Sequence, residues 1–344
     1  MRHIKPCHRF YARLYRRPGA NRLKSQIFVT KVAELKCICG TISAASKSNE
    51  VNSMSIAALS LSALPELKRI LLATDLSFSA ESLAALPYVH GIADTFGSSV
   101  FLWHSVGSEE ESLASPMELR HIEKQANEKL EGLSHTIQLQ NLRVTPLVTN
   151  GSVATELPKA IAENNVSLVV ARTSGRRGLQ RILYGSVVDE ICRVASCPVL
   201  TVGPYLLPQR EIRFKRIILP TDLSLHSQRV LPITVALAMR YGASVTVLHV
   251  LPEGWHQRPD QITVTEAARR AMSNSFERPL SGLDADLVCE TGEPVEMILK
   301  VARQKSADLI AMGVKNAFEP GIQMCPSVAS RVVSEAHCPV LTSH

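Results

Sequence analysis

The sequence lacks the patterns on which most predictions of enzymes and metal sites depend. Its eight cysteines form no C-x-x-C pair and show no zinc spacing. No Gly-x-Ser-x-Gly elbow occurs, and no Walker A lysine follows a glycine-rich loop. No apolar run reaches the roughly 18–20 residues that span a bilayer. These absences argue against a zinc module, an α/β-type serine hydrolase, a P-loop NTPase and a membrane-spanning protein, and the cysteine usage favours a reducing cytoplasm.

Positive charge is concentrated at one end of the 344 residues. The net charge is +7 at pH 7, but residues 1–50 alone hold eleven Lys or Arg against two Glu, which leaves the rest at −2. The body of the chain therefore gives no electrostatic argument for nucleic-acid binding. Residues 1–64 lack helical or strand periodicity. Three interpretations stay open for them: a disordered basic tail, a targeting segment, or a translation start that really lies at Met54.

The rest of the sequence repeats itself once. Residues 68–77, KRILLATDLS, return as residues 215–224, KRIILPTDLS, and the CPVLT of residues 197–201 returns at 338–342. The offsets of 147 and 141 residues match a whole domain and are too long for a solenoid repeat. We therefore predict two similar domains, at 66–203 and 213–344, joined by a linker at 204–212.

Short apolar runs alternate with helical segments in both repeats. Strands are predicted at 69–73, 100–104, 143–149, 168–171 and 198–202, and again at 217–219, 245–249, 285–290, 309–312 and 339–341. A helix is predicted over 79–96, and Gly97 and Gly242 are predicted to end equivalent helices. This alternation predicts an α/β fold with two tandem, doubly wound domains, each a five-stranded parallel sheet covered on both faces.

A ligand in such a sheet binds beyond the carboxyl ends of the strands, where the winding direction reverses. The first candidate place is Ala73-Thr74-Asp75, directly after the first strand. A carboxylate there can accept hydrogen bonds from ribose hydroxyls or from the amino edge of a base. The alternative is that Asp75 or Ser77 only caps the following helix.

The second candidate place follows the fourth strand, over residues 171–187. Its glycines allow the backbone to approach a phosphate, and Gly185-Ser186 offers amides at a helix N-terminus. Arg172, Arg176 and Arg177 add positive charge. The alternative is an ordinary loop in which Ser186 is an N-cap.

Together these motifs resemble the universal stress protein family, and the chain is similar to a tandem member of it over about 66–203 and 213–344. The resemblance implies a Rossmann-like domain of the adenine nucleotide alpha hydrolase-like kind. Many members bind ATP through Gly, two residues, Gly, nine residues, and Gly-Ser or Gly-Thr. Residue by residue, it implies a nucleotide site in the first repeat made of Ala73, Thr74, Asp75, Ser105, Ala171, Arg172, Gly175, Gly185, Ser186 and Val187.

Three departures from the family pattern distinguish the repeats, one in the first and two in the second. Arg172 replaces the first glycine of the first repeat, where it can either obstruct the phosphates or contact them. In the second repeat, Asn316 and Pro326 replace the second and third glycines, and proline has no amide to offer an anion. The resemblance therefore implies a degenerate second site, and we expect the first repeat to bind nucleotide better. The residues implied for the second site are Asp222, Val250, Met312, Gly313 and Ser327.

The resemblance implies a stress-response protein that takes ATP, with or without Mg²⁺, and acts as a nucleotide-responsive regulator. The alternative is a nucleotide-free interaction scaffold. No residue stands out as a dedicated catalytic base, so no enzyme is predicted beyond slow ATP hydrolysis. His104 and His249, which end equivalent strands, are predicted to be packed or pocket-edge residues and not metal ligands. The last strands of the two domains are expected to pair within the chain or in a homodimer, and no nucleic-acid or membrane partner is expected.

Overall fold

Strands and helices alternate in the part of the chain that the computed structural model describes, residues 64–76, 82–107, 115–138, 142–173, 187–203, 206, 212–253, 261–314 and 327–344. The strands are β1 (Arg69–Ala73), β2 (Ser99–Val106), β3 (Val144–Asn150), β4 (Leu168–Arg172), β5 (Val199–Val202), β6 (Arg216–Thr221), β7 (Ser244–Leu251), β8 (Ala285–Thr291), β9 (Leu309–Gly313) and β10 (Val340–Ser343). The helices are α1 (Leu86–Phe96), α2 (Pro116–Gln138), α3 (Val153–Glu163), α4 (Val187–Val194), α5 (Leu225–Gln228), α6 (Leu231–Tyr241), α7 (Gln261–Phe276), α8 (Pro294–Gln304) and α9 (Val328–Glu335). The predictions for the basic tail fall, up to residue 63, outside the described residues.

The strands of these ranges form a single sheet in the order β3-β2-β1-β4-β5-β10-β9-β6-β7-β8. Within each repeat all neighbours are parallel. At the centre β5 and β10 run antiparallel, with Leu200 opposite Leu341. The predicted α/β fold with five parallel strands in each repeat is confirmed, and the expected pairing of the last strands occurs within the chain.

Helices cover both faces of this sheet, which explains the continuous apolar runs in the central strands. Ile70, Leu71, Ile217 and Ile218 are each at most 1% exposed, although neighbouring strand residues point to opposite faces. On one face, a single apolar cluster runs from α1 and α2 to α6 and α7 and so joins the repeats. On the other face, α3 and α4 pack in one cluster, while α8 and α9 pack in another.

The first helix of each repeat ends as predicted but begins differently. Gly97 and Gly242 cap α1 and α6 in the left-handed conformation, at φ 65° and 62°. The prediction of one helix over 79–96 is wrong at its start, because residues 82–85 form a 3-10 helix before α1. Pro87, at the start of α1, lacks an N–H and would clash with the carbonyl group four residues earlier in a continuous α-helix.

Residues at the boundary of the repeats belong to the shared core. Phe214, at 1% exposure, stacks on Tyr88 with ring centroids 6.4 Å apart and meets Tyr241 edge-on at 5.2 Å. Ile212, the end of the predicted linker, is buried as well. No helix in the described ranges is long and apolar enough to cross a membrane.

Candidate functional site

The winding of each half-sheet reverses at one crevice, between β1 and β4 in the first repeat and between β6 and β9 in the second. Leu72 pairs with Val170 across the first crevice, so Thr74 and Arg172, two residues further along, reach the same edge. Asp75 follows directly and is exposed. The structure therefore brings the two candidate places of the first repeat together at the edge where open parallel sheets bind ligands.

The turn after the first strand has the same construction in both repeats. The Thr74 hydroxyl accepts from the amide of Leu76 at 3.2 Å, and Leu76 has a positive φ of 60°. His104 Nδ1 lies 2.8 Å from the Thr74 carbonyl oxygen. Since a carbonyl only accepts, Nδ1 carries the proton and donates. His104 is thus a pocket-edge histidine, as predicted, and it holds the turn that precedes Asp75.

The second repeat repeats this turn with different residues. The Thr221 hydroxyl accepts from the amide of Leu223 at 3.0 Å, Leu223 has φ 65°, and His249 Nδ1 donates to the Thr221 carbonyl at 2.9 Å. The Asp222 carboxylate accepts from the amide and hydroxyl of Ser224, at 3.0 and 2.5 Å. Ser224 in turn caps α5. The capping alternative is therefore found in the second repeat, whereas Ser77 lies outside the described residues.

Ser105 is tied into the backbone beside the crevice. Its hydroxyl donates to the Gly151 carbonyl at 2.6 Å and accepts from Thr149 at 3.2 Å, and the Thr149 hydroxyl accepts from the indole of Trp103 at 3.1 Å. The hydroxyl proton of Ser105 is thus already engaged in a hydrogen bond. Val250, at the matching position of the second repeat, is partly buried and carries no hydroxyl.

Arg172 ends β4 with an unsatisfied donor. Its Nε is buried and has no hydrogen-bond partner among the described residues. The neighbouring backbone is fully engaged, since the amide of Thr173 donates to Val202 at 3.0 Å. Ala171, just before Arg172, is 1% exposed, and its counterpart Met312 is 6% exposed. A buried guanidinium N–H without an acceptor is costly, and an anionic oxygen is the kind of acceptor that would satisfy it.

Gly313, the counterpart of Arg172, is required by packing. A Cβ atom at this position would lie 2.1 Å from the carbonyl oxygen of His226 and 2.6 Å from the Cα of Ser227. Helix α5 therefore lies directly against the end of β9. The one glycine of the pattern that the second repeat retains is accounted for by this helix contact.

The glycine turns that were predicted to hold phosphate lie beyond the described residues. Gly175, Gly185 and Ser186 fall in the gap before α4, and Val187, its first residue, is 57% exposed. In the second repeat, the Ser327 hydroxyl accepts from the amide of Ser330 at 3.1 Å and caps α9. Ser327 is thus an N-cap, as the ordinary-loop alternative would have it.

Comparison with known proteins identifies the family of this chain. The family model described as "Universal stress protein family" matches residues 66–203 and 213–344. The chain belongs to the universal stress protein family. A universal stress protein of Thermus aquaticus, from the 3' region of the QAH/OAS sulfhydrylase, is 32% identical over 137 residues, which are 37% of this chain and 97% of the relative.

Solved structures show the same tandem fold. A universal stress protein from Archaeoglobus fulgidus superimposes with a TM-score of 0.64 at 19% identity, over 81% of this chain and 98% of its own. A putative universal stress protein from Pseudomonas aeruginosa gives a TM-score of 0.59 at 17% identity, over 81% and 94%. At these identities the likeness concerns the fold alone.

One hollow in the described part of this universal stress protein lies away from the crevices, at the amino ends of the strands. It is open and lined by residues from both repeats, among them Tyr88, Phe214, Asp308 and His337. The Asp308 carboxylate accepts from the amides of Lys215 and Arg216, both at 3.0 Å. Burial and the nearby Arg303 lower the pKa of His337, so it is less readily charged. These groups have structural partners, and the hollow does not favour a second site.

Sequence reasoning missed two features of the crevices. One is the contact of α5 with Gly313. The other is the length of the connection after the first strand: Leu86 comes ten residues after Leu76, whereas Leu231 comes eight residues after Leu223. An alignment of the two repeats on their Leu-Pro helix starts would have revealed this difference, but not its structural consequence.

Proposed function

We propose that this universal stress protein binds adenine nucleotide, and ATP above all, in the crevice between β1 and β4. One observation carries the proposal: Asp75 and Arg172 stand at the ends of neighbouring strands where the winding reverses. A carboxylate there suits ribose hydroxyls or a base, and a guanidinium suits phosphate. Family membership supports the same choice of ligand.

Each residue of the site has a role in this proposal. Asp75 accepts from the ribose or the base, and the amides of Gly175, Gly185 and Ser186 hold the phosphates. The Ser105 hydroxyl already donates to Gly151 and can meet the ligand only as an acceptor, whereas the Thr74 hydroxyl accepts from the Leu76 amide and keeps its proton for the ligand. Ala73, Ala171 and Val187 form apolar walls. A Mg²⁺ ion would take its ligands mainly from the phosphate oxygens, with Asp75 nearby.

We assign the weaker site to the second repeat. Gly313 is covered by α5, and Pro326 offers no amide. Val250 and Met312 would leave only an apolar hollow. Nucleotide occupancy of the first repeat would then make the protein a regulator in the stress response, in the cytoplasm, in keeping with the free thiols of Cys192, Cys197, Cys289 and Cys338.

Calorimetric titration of ATP into the full chain tests the assignment with matched variants. Asp75→Asn and Ser186→Ala are expected to weaken binding at least tenfold. Their counterparts Asp222→Asn and Ser327→Ala are expected to leave it unchanged. A loss of affinity in the second pair but not in the first would move the site to the second repeat.

A nucleotide-free scaffold is the second candidate function. The observation in its favour is the Arg172 side chain, which stands where the family pattern places a glycine. If it plugs the crevice, no nucleotide will co-purify and ATP will not bind at any accessible concentration. The continuous ten-stranded sheet would then be the functional feature, as a platform for a partner.

A further inference from the structure

We infer that Arg172 makes the first-repeat site select its ligand by phosphate charge, so that adenosine di- and triphosphates bind in preference to adenosine. This inference rests on the proposed function. Arg172 stands where the family pattern has a glycine. This replacement makes the site more selective and does not abolish it.

The Arg172 side chain has an unsatisfied hydrogen-bond donor. Arg172 Nε is buried without a hydrogen-bond partner, and among the described residues the Arg172 side chain makes no ion pair. By contrast Arg193, in the same repeat, lies 3.7 Å from Glu190. A guanidinium presents its donors as a planar fork that fits phosphate oxygens two at a time. A phosphate is therefore the chemical group that completes this environment.

The two repeats differ in the room at this position. In the second repeat the backbone of His226 and Ser227 lies so close to Gly313 that no side chain fits. The first repeat accommodates the Arg172 side chain at the matching position, and its connection from Leu76 to Leu86 is two residues longer than the counterpart.

The first turn of α4 carries negative charge. Asp189 and Glu190 occupy its first turn. Acidic residues there are favourable for the helix but oppose a second anion at the same terminus. The matching positions in α9 are Ser330 and Arg331. To hold phosphate, the first repeat therefore needs positive charge to offset these acids; Arg172 ends the strand that precedes this helix, and Arg176 and Arg177 follow it in sequence.

Competition titrations of the full chain with adenosine, AMP, ADP and ATP test the inference. The variants are Arg172→Met, which removes the charge but keeps the length, Arg172→Lys, and Arg120→Met as a control of equal charge on the exposed face of α2 in the same repeat. Thermal unfolding verifies that each variant is folded. We expect Arg172→Met to weaken ATP binding at least tenfold and adenosine binding less than twofold. Arg172→Lys should fall between, and Arg120→Met should change neither.

Three outcomes would overturn the inference, and they can be told apart. Tighter ATP binding by Arg172→Met would mean that the guanidinium obstructs the crevice. Equal losses for ATP and adenosine would mean a structural role without phosphate selectivity. In both cases the proposed function stands. If the wild-type chain binds none of the four ligands, the proposed function itself fails, and the inference with it.

Discussion

The hydroxyl of Tyr241 donates a hydrogen bond to the carbonyl oxygen of Gly91, 2.9 Å away, and so ties α6 of the second repeat to α1 of the first. The same ring meets Phe214 edge-on, and Phe214 stacks on Tyr88. With the shared apolar cluster and the pairing of β5 with β10, this contact joins the two repeats through one continuous core.

The first prediction concerns this contact. Tyr241→Phe should lower the free energy of unfolding by about 0.5–1.5 kcal/mol, because one net hydrogen bond is lost. The loss should lie toward the lower value, since the Gly91 carbonyl also accepts from the Thr95 hydroxyl at 2.7 Å. Phe214→Ala should cost about 3–5 kcal/mol by opening a cavity between the repeats. Urea unfolding should show a single transition in each case, and separate transitions for the two repeats would contradict the shared core.

The second prediction concerns Gly313. Gly313→Ala places a methyl group against the backbone of α5, so we expect a destabilisation of about 1–3 kcal/mol or displacement of that helix. Gly132→Ala is the control, because Gly132 lies inside α2 and a Cβ there meets nothing within 4 Å. The control should be stabilising by roughly 0.5–1 kcal/mol. Equal effects in the two variants, measured by urea unfolding, would show that α5 does not lie against β9 in solution.

The third prediction concerns the two histidines that hold the turns. His104→Asn keeps a donor near the position of Nδ1, whereas His104→Phe removes it. We expect the Phe variant to weaken ATP binding several-fold by loosening the Thr74–Asp75 turn, and the Asn variant to recover most of that loss. His249→Phe should have no effect on ATP affinity, although it breaks the matching bond to Thr221. Equal ATP affinity in His104→Phe and His104→Asn would remove His104 from the site.

The fold could be predicted from the sequence because the duplication shows the same order of strands and helices twice. Apolar runs such as Ile70–Leu72 and Ile217–Leu219 end at the same Thr-Asp pair, and strands buried on both faces leave few alternatives. The site was harder to predict, because its geometry depends on contacts between distant segments. The approach of α5 to Gly313 and the orphaned Nε of Arg172 have no local signature. In the second repeat Ser224 and Ser327 serve as caps and Asp222 bonds to Ser224, uses that the same residue types fulfil as readily as ligand binding.

The fourth prediction concerns the pH dependence of stability and rests on His344. Its Nε2 donates to the carbonyl oxygen of Cys192, and within the part of the chain that the structure describes its buried Nδ1 has no hydrogen-bond partner. Burial lowers the pKa of His344 below 6.5, its ordinary value; the bond to Cys192 opposes this shift, and Arg229 adds to it. The unfolded chain therefore takes up a proton more readily than the folded one. Stability should be fully present above about pH 6.5 and fall as the pH drops below it.

Urea midpoints measured between pH 8 and pH 5 check this dependence. His344→Gln offers an amide donor near the position of Nε2 but does not titrate, so its midpoint should fall less on acidification than that of the wild type. His337 is the necessary second variant, because burial and Arg303 lower its pKa too and give the same sign. His337→Gln should remove another part of the slope, and the double variant more than either. Each pKa unit between the folded and unfolded states is worth about 1.4 kcal/mol. A pH slope in His344→Gln identical to that of the wild type would show that this contact between the repeats does not titrate.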